Sequence, residues 1–106
     1  MKSAESVNSA KSTVDIIVVT WNNTKILSNM LVSLVRNTTE PFRLIIVNNG
    51  EQGSIPQLSY PHVKVLEMGG NKGWMGGVNA GIQWCRENSA APFTMWMNDD
   101  IQILDH

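Results

Sequence analysis

Apolar residues along the chain gather into two kinds of run, one with the spacing of strands and one with the spacing of helices. "VDIIVVT", from Val14 to Thr20, is almost continuously apolar and β-branched. That pattern predicts a central strand covered on both faces by helices. "RLIIV", from Arg43 to Val47, repeats the signature. Between them, the segment Thr24 to Asn37 places Ile26, Leu27, Met30, Leu31, Leu34 and Val35 on one helical stripe. Asn23 or Thr24 is available as N-cap, and the helix should end near Asn37, ahead of Pro41. A strand, a helix and a second buried strand within a few dozen residues imply a right-handed crossover to a parallel neighbour.

"VKVLE", Val63 to Glu67, is shorter and alternating, which suits a strand nearer the edge, and "FTMWM", Phe93 to Met97, is a fourth strand. The segment between them, "NKGWMGGVNAGI" from Asn71 to Ile82, opens a helix in which Val78, Ile82 and Cys85 are spaced for one buried face. The predicted architecture is α/β, a Rossmann-like, mostly parallel sheet with flanking helices. Residues 1–13, MKSAESVNSAKST, contain no apolar stretch of the kind a signal peptide needs and read as a mobile tail. No run is long and apolar enough to span a membrane.

Composition narrows the function more than the fold. At 106 residues and 42 % hydrophobic content, the chain can build one domain with a real core. Eight basic and nine acidic side chains leave a net charge of −1, so nothing attracts nucleic acid, and none is expected as a partner. Cys85 is the single cysteine, which rules out an internal disulfide and points to a reducing, cytoplasmic compartment.

The chemistry sits where each strand stops, since ligands of open parallel sheets bind beyond the carboxyl ends. The first strand runs into Thr20-Trp21-Asn22-Asn23 and the second into Asn48-Asn49-Gly50. The third passes through Glu67-Met68 into the glycine segment, and the fourth ends in Asn98-Asp99-Asp100. The two carboxylates of the last cluster are hard oxygen ligands suited to Mg²⁺ or Mn²⁺ bridging to phosphates. A plain turn is the competing explanation. The neighbouring glycine-opened helix, whose first N–H groups favour an anion, shifts the balance toward a metal–phosphate site.

The glycine segment lacks G-x-G-x-x-G and a Walker lysine, so it is neither a dinucleotide fingerprint nor a P-loop. Gly73, Gly76 and Gly77 read as close-approach glycines, and Trp74 and Met75 as core filling beneath the loop. Asn79 and Gly81 sit just inside the helix, where both are poor helix formers, a local cost expected at functional sites. Trp21 either stacks on a base or caps the core. His62 and His106 have no companion for a catalytic pair and read as surface residues.

Taken in order, "VDIIVVTWNN", "LIIVNNGE", "NKGWMGGVNAGI" and "MWMNDD" resemble the nucleotide-sugar half of family 2 glycosyltransferases with the GT-A fold, from Val14 to about Ile103. The glycine segment is particularly similar to that of bacterial rhamnosyltransferase-like members. The resemblance implies that Thr20, Trp21 and Asn22 border the nucleoside pocket and that Asn48 and Asn49 occupy the base-recognition loop. It also implies that Asn71, Gly73, Gly76, Gly77, Asn79, Asn98 and Asp99 belong to the donor site. Asn98-Asp99-Asp100 would take the D-x-D position, with Asp100 as the ligand of a divalent Mn²⁺ or Mg²⁺ and Asn98 facing the ribose or sugar. Family members usually carry Asp where this chain has Asn48; the change removes a charge and keeps a carbonyl acceptor.

The implied activity is inverting transfer of a sugar from a UDP- or dTDP-linked donor to a saccharide or lipid-linked acceptor, as in polysaccharide biosynthesis. In the family, an acceptor-binding half carries the general base, so residues 14–106 are expected to form a partial domain with no nameable base. Uncovered sheet edges open to self-association, and a peripheral position at the inner face of the membrane, belong to the same expectation. Two alternatives stay open: a non-catalytic nucleotide-binding or interaction module of this fold, and a receiver-like phosphoryl-transfer domain. The second needs acids after the first strand, where this chain has Trp21-Asn22.

Overall fold

Thr20 and Asn48 stand side by side at the ends of two parallel strands, and the whole sheet is built on that register. The computed structural model describes residues 13–22, 24–38, 41–55 and 60–99. Its elements are β1 (Val14–Thr20), α1 (Thr24–Asn37), β2 (Phe42–Asn48), β3 (Val63–Glu67), α2 (Gly73–Asn88) and β4 (Phe93–Asn98). The four strands form one sheet in the order β3-β2-β1-β4, with every pairing parallel. The α/β, Rossmann-like expectation is met, with β1 and β2 central and β3 at an edge.

Alternation along the strands divides the core in two. Ile16, Val18, Leu44 and Ile46 face α1 and pack with Leu27, Met30, Leu31 and Leu34. Ile17, Val19, Ile45 and Val47 face α2 and pack with Val78 and Cys85. Each such buried aliphatic side chain contributes about 1.5–3 kcal/mol relative to exposure, which is why two near-continuous apolar strands fix the topology. The expected stripe on α1 is wider than the buried one, because Ile26 and Val35 are each 41 % exposed. They flank the row of Leu27, Met30, Leu31 and Leu34 that meets the sheet, and a single helix face is too narrow to bury all six.

α2 lies closer to the sheet than ordinary side chains would allow. A Cβ on Gly77 would stand 2.7 Å from Val19 Cγ1, and one on Gly81 would stand 2.6 Å from Ile17 Cγ2. The two glycines lie four residues apart on the face that meets β1, so their helix-propensity cost is offset by close packing.

Toward the amino ends of the strands, Arg43 Nε and Asp15 Oδ1 form a buried ion pair at 3.3 Å. Arg43 also stacks over the Trp84 ring at 4.8 Å. This explains how two strands that read as apolar each tolerate a charge: both groups are desolvated, and each is the other's partner. Thr13, assigned above to the tail, donates its N–H to Pro41 O at 2.9 Å. The rest of the tail and Asn23, the alternative N-cap, lie outside the described residues, and Thr24 is the first helical residue. Among the described residues no helix is long and apolar enough to cross a membrane.

Candidate functional site

β1 pairs with β2 on one side and β4 on the other, so the chain order reverses direction at β1. The loops leaving β1 and its neighbour diverge at such a point and open a crevice beyond the strand ends. Thr20 Oγ1 crosses that crevice and donates a hydrogen bond to Asp99 Oδ2 at 2.9 Å. Above the bond lies a cleft of about 290 Å³, lined by Val19, Thr20, Trp21, Asn49, Asn71, Gly73, Trp74 and Asp99. Three of the four polar strand ends thus meet in one cavity, together with the glycine segment.

Side-chain contacts among the loops at the strand ends explain how the rim is held. Asn48 is sealed from solvent and donates from Nδ2 to Glu51 O and Glu67 Oε1, both at 2.9 Å. Its Oδ1 accepts the Gly50 N–H. Asn49, 2 % exposed, donates from Nδ2 to Gly73 O and accepts the Lys72 N–H at Oδ1, fastening the glycine segment to the end of β2. Asn22, with φ of 56°, accepts the Glu51 N–H at Oδ1 and ties the loop after β1 to the loop after β2. Gly50 is the residue that permits this crossing, because a Cβ there would stand 2.8 Å from Asn22 N. The asparagines expected in a base-recognition loop therefore build the frame of the site.

The glycine segment divides between shaping and packing. Gly73 opens α2 with φ of +77°, a conformation that strongly favours glycine, and its N–H is received by Asn71 Oδ1 at 2.9 Å. Lys72 caps α2 with no side-chain hydrogen bond. Gly77 approaches Val19, as a close-approach glycine should, but the approach is to the core. Gly76, Asn79 and Asn98 are not among the residues lining the cleft. Asn79 is exposed on α2, and Asn98 is exposed at the end of β4. Asp99 is half-buried at the cleft floor, and Asp100 lies outside the described residues.

Two assignments change. Trp74 and Met75 are not core filling: they are 43 % and 59 % exposed. Gly77, Val78 and Gly81 take the sheet-facing positions of α2, and Trp74, one turn earlier on the same stripe, lines the cleft. His62 is half-buried, with Nδ1 sealed and unpartnered and its ring edge-on to Tyr60 at 5.4 Å, so it is not a plain surface residue. His106 lies outside the described residues. Trp21, 57 % exposed on the cleft, does not cap the core. Glu67 reads from the sequence only as the polar end of the third strand; its place directly opposite Asn48 becomes visible only with the register of β2 and β3.

No group of three or more His, Cys, Asp or Glu side chains able to hold a metal occurs among the described residues. A larger groove of about 520 Å³ beside α1 is lined by Leu31, Val32, Val35, Arg36, Tyr60 and Pro61 and offers little polar chemistry. The Cys85 thiol, buried under α2, is pushed up to about 12 by desolvation, with the Asp15 charge and a hydrogen bond to Asp15 adding to the effect and Arg43 opposing it. Burial makes it a packing residue and a poor nucleophile.

A parallel sheet with a polar cleft at its switch point places the chain among the Rossmann-like α/β proteins. Residues 15–106 match the family model described as Glycosyl transferase family 2, and the chain belongs to that family. It is similar to an uncharacterized glycosyltransferase of Bacillus subtilis (strain 168), YwdF, with 32 % identity over 73 residues. The match covers 66 % of this chain and 27 % of that protein, so the chain spans about a quarter of the length of the curated relative it matches.

Proposed function

We propose that the cleft between β1, β4 and the start of α2 is the donor site of an inverting glycosyltransferase, taking a UDP- or dTDP-linked sugar. The observation that carries this reading is the Thr20–Asp99 bond across the switch point, which presents a carboxylate at the floor of a cavity walled by two tryptophans and by backbone at a glycine-opened helix start. Family membership supports sugar transfer as the reaction class.

What supports a hard divalent cation here is a carboxylate at the cleft floor. Asp99 has one carboxylate oxygen engaged by Thr20 and a second to offer, and Asp100 follows it in the chain. We assign Asp100 as the Mg²⁺ or Mn²⁺ ligand and Asp99 as a residue of the donor site. When bound, the cation would neutralise charge on the departing nucleoside diphosphate. The acceptor hydroxyl forms the new bond to the anomeric carbon, the bond to the diphosphate breaks, and a carboxylate base takes the hydroxyl proton. That base is not assigned to any residue of this chain. The saccharide or lipid-linked acceptor belongs to the same reading.

Titrating UDP and dTDP with and without Mn²⁺, by calorimetry and by tryptophan emission, tests the site. Metal-dependent binding is expected, lost in Asp100→Ala and weakened less in Asp99→Ala. No response to either nucleotide at millimolar concentration with metal present would remove the donor-site reading. Loss of the manganese effect in Asp99→Ala alone would move the metal to Asp99.

A further inference from the structure

Resting on the donor-site reading, the structure assigns Trp74 as a second aromatic wall facing the same cavity as Trp21, so that the nucleobase is held by stacking between two indoles and is not selected by its hydrogen-bonding edge. Trp74 is a large apolar side chain left 43 % exposed in the first turn of α2, where nothing in the core requires it. The backbone that presents it is fixed on three sides: Asn49 holds Gly73 O and the Lys72 N–H, and Asn71 holds the Gly73 N–H. An exposed tryptophan on an over-determined turn at the mouth of a cleft is a contact surface for a planar ligand. Trp21, 57 % exposed, lines the same cavity from the end of β1.

The amides of the Asn48-Asn49 loop are spent elsewhere. Asn48 is fully buried, with its amide donors on Glu51 and Glu67 and its oxygen on Gly50. Asn49 uses both ends of its amide on the glycine segment, and the Asn22 oxygen is taken by Glu51. A base entering the cleft meets two π-faces and finds the Asn48 and Asn49 amides and the Asn22 oxygen already committed. Stacking is tolerant of base identity because every base has a π-face, whereas discrimination needs unpaired groups that a wrong base leaves unsatisfied. The ligand class is therefore a nucleoside diphosphate sugar with little selection between uracil, thymine and guanine.

Isothermal titration of the full chain with UDP, dTDP, GDP and inorganic pyrophosphate, all with Mn²⁺, tests both halves of the assignment. The wild-type chain should bind the three nucleotides within about tenfold of one another. Trp74→Ala should weaken all three by roughly 5- to 100-fold, the range of base–aromatic stacking, and leave pyrophosphate unchanged. Trp74→Phe, which keeps a ring, should stay within a few-fold of wild type. Nucleotide affinity unchanged in Trp74→Ala, or an equal loss on pyrophosphate, would overturn the stacking role while the donor site stands. Discrimination beyond tenfold between bases would overturn the indifference to the edge. Wild-type chain that binds pyrophosphate and no nucleotide, or neither, would remove the donor site and this assignment with it.

Discussion

Thr20 and Asp99 are 79 residues apart in the chain and joined by a 2.9 Å hydrogen bond at the one place where the sheet changes direction. β4 is an edge strand whose Phe93, Met95 and Trp96 are all more than 40 % exposed, so it has little hydrophobic hold beyond Met97. A charge-assisted side-chain bond at its carboxyl end therefore matters for keeping β4 in register with β1.

Thr20→Val and Asp99→Ala should each destabilise the chain by about 1–3 kcal/mol, the scale of a hydrogen bond to a charged group. Because both remove the same bond, the double variant should cost clearly less than the sum, with a coupling of roughly 0.5–3 kcal/mol by urea denaturation. Strict additivity would mean that the contact does not couple β1 to β4.

Asn48 and Glu67 face each other at the ends of β2 and β3, joined at 2.9 Å. Asn48→Asp replaces the donor with a second carboxylate and leaves Glu51 O without its partner. The loss should be about 2 kcal/mol or more at pH 7 to 8, since a buried acceptor is orphaned and two like charges are brought together. The pair would titrate above the ordinary carboxylate range, so the variant should regain stability as the pH falls toward 5. Thermal melts across that range check the sign; a deficit independent of pH would exclude charge repulsion as its cause.

Gly77→Ala and Gly81→Ala should each destabilise by roughly 1–3 kcal/mol, because the added methyl groups would meet Val19 and Ile17 at less than 3.0 Å and force the helix off the sheet. Gly76→Ala meets only Lys72 Cβ at 3.1 Å and should be neutral or stabilising by up to about 1 kcal/mol through helix propensity. Equal losses at all three would indicate that the helix start, and not its contact with β1, is what the glycines protect.

These contrasts mark what could be read along the chain. Strand and helix identities were legible because Ile17, Ile45 and their neighbours form uninterrupted apolar runs, and polar strand ends must collect on one edge of a parallel sheet. The roles inside that edge were not. Asn48 and Asn49 offer the same groups to a ligand or to a loop, and only the register and loop paths decide that they serve the frame. Trp74 follows a glycine at the start of a helix, where its direction depends on which residues of α2 touch β1. Gly81 packs on Ile17 and Gly77 on Val19, so Trp74, one turn earlier on the same stripe, falls at the end of β1 where the cleft opens.

Cys85 reports on the packing of that same helix. It is 5 % exposed and lies by Asp15, and burial together with the Asp15 charge pushes the thiol from its ordinary value near 9 up to about 12. At pH 9 the native thiolate fraction should be far lower than that of a free cysteine, and access is restricted as well. Iodoacetamide should therefore label the native chain very slowly, and labelling should accelerate with urea along the same transition as global unfolding. The sign for stability follows from proton counts. Below about pH 9 the thiol is protonated in both states, so its contribution to stability is present and constant. Between about pH 9 and 12 the unfolded chain releases the proton and the folded chain keeps it, so folding stability falls as the pH rises through that window. Cys85→Ala should flatten that part of the profile. Rapid native labelling at pH 9 with no dependence on urea would show that α2 separates from β1 without unfolding, and the close approach at Gly77 and Gly81 would then be only one of its states.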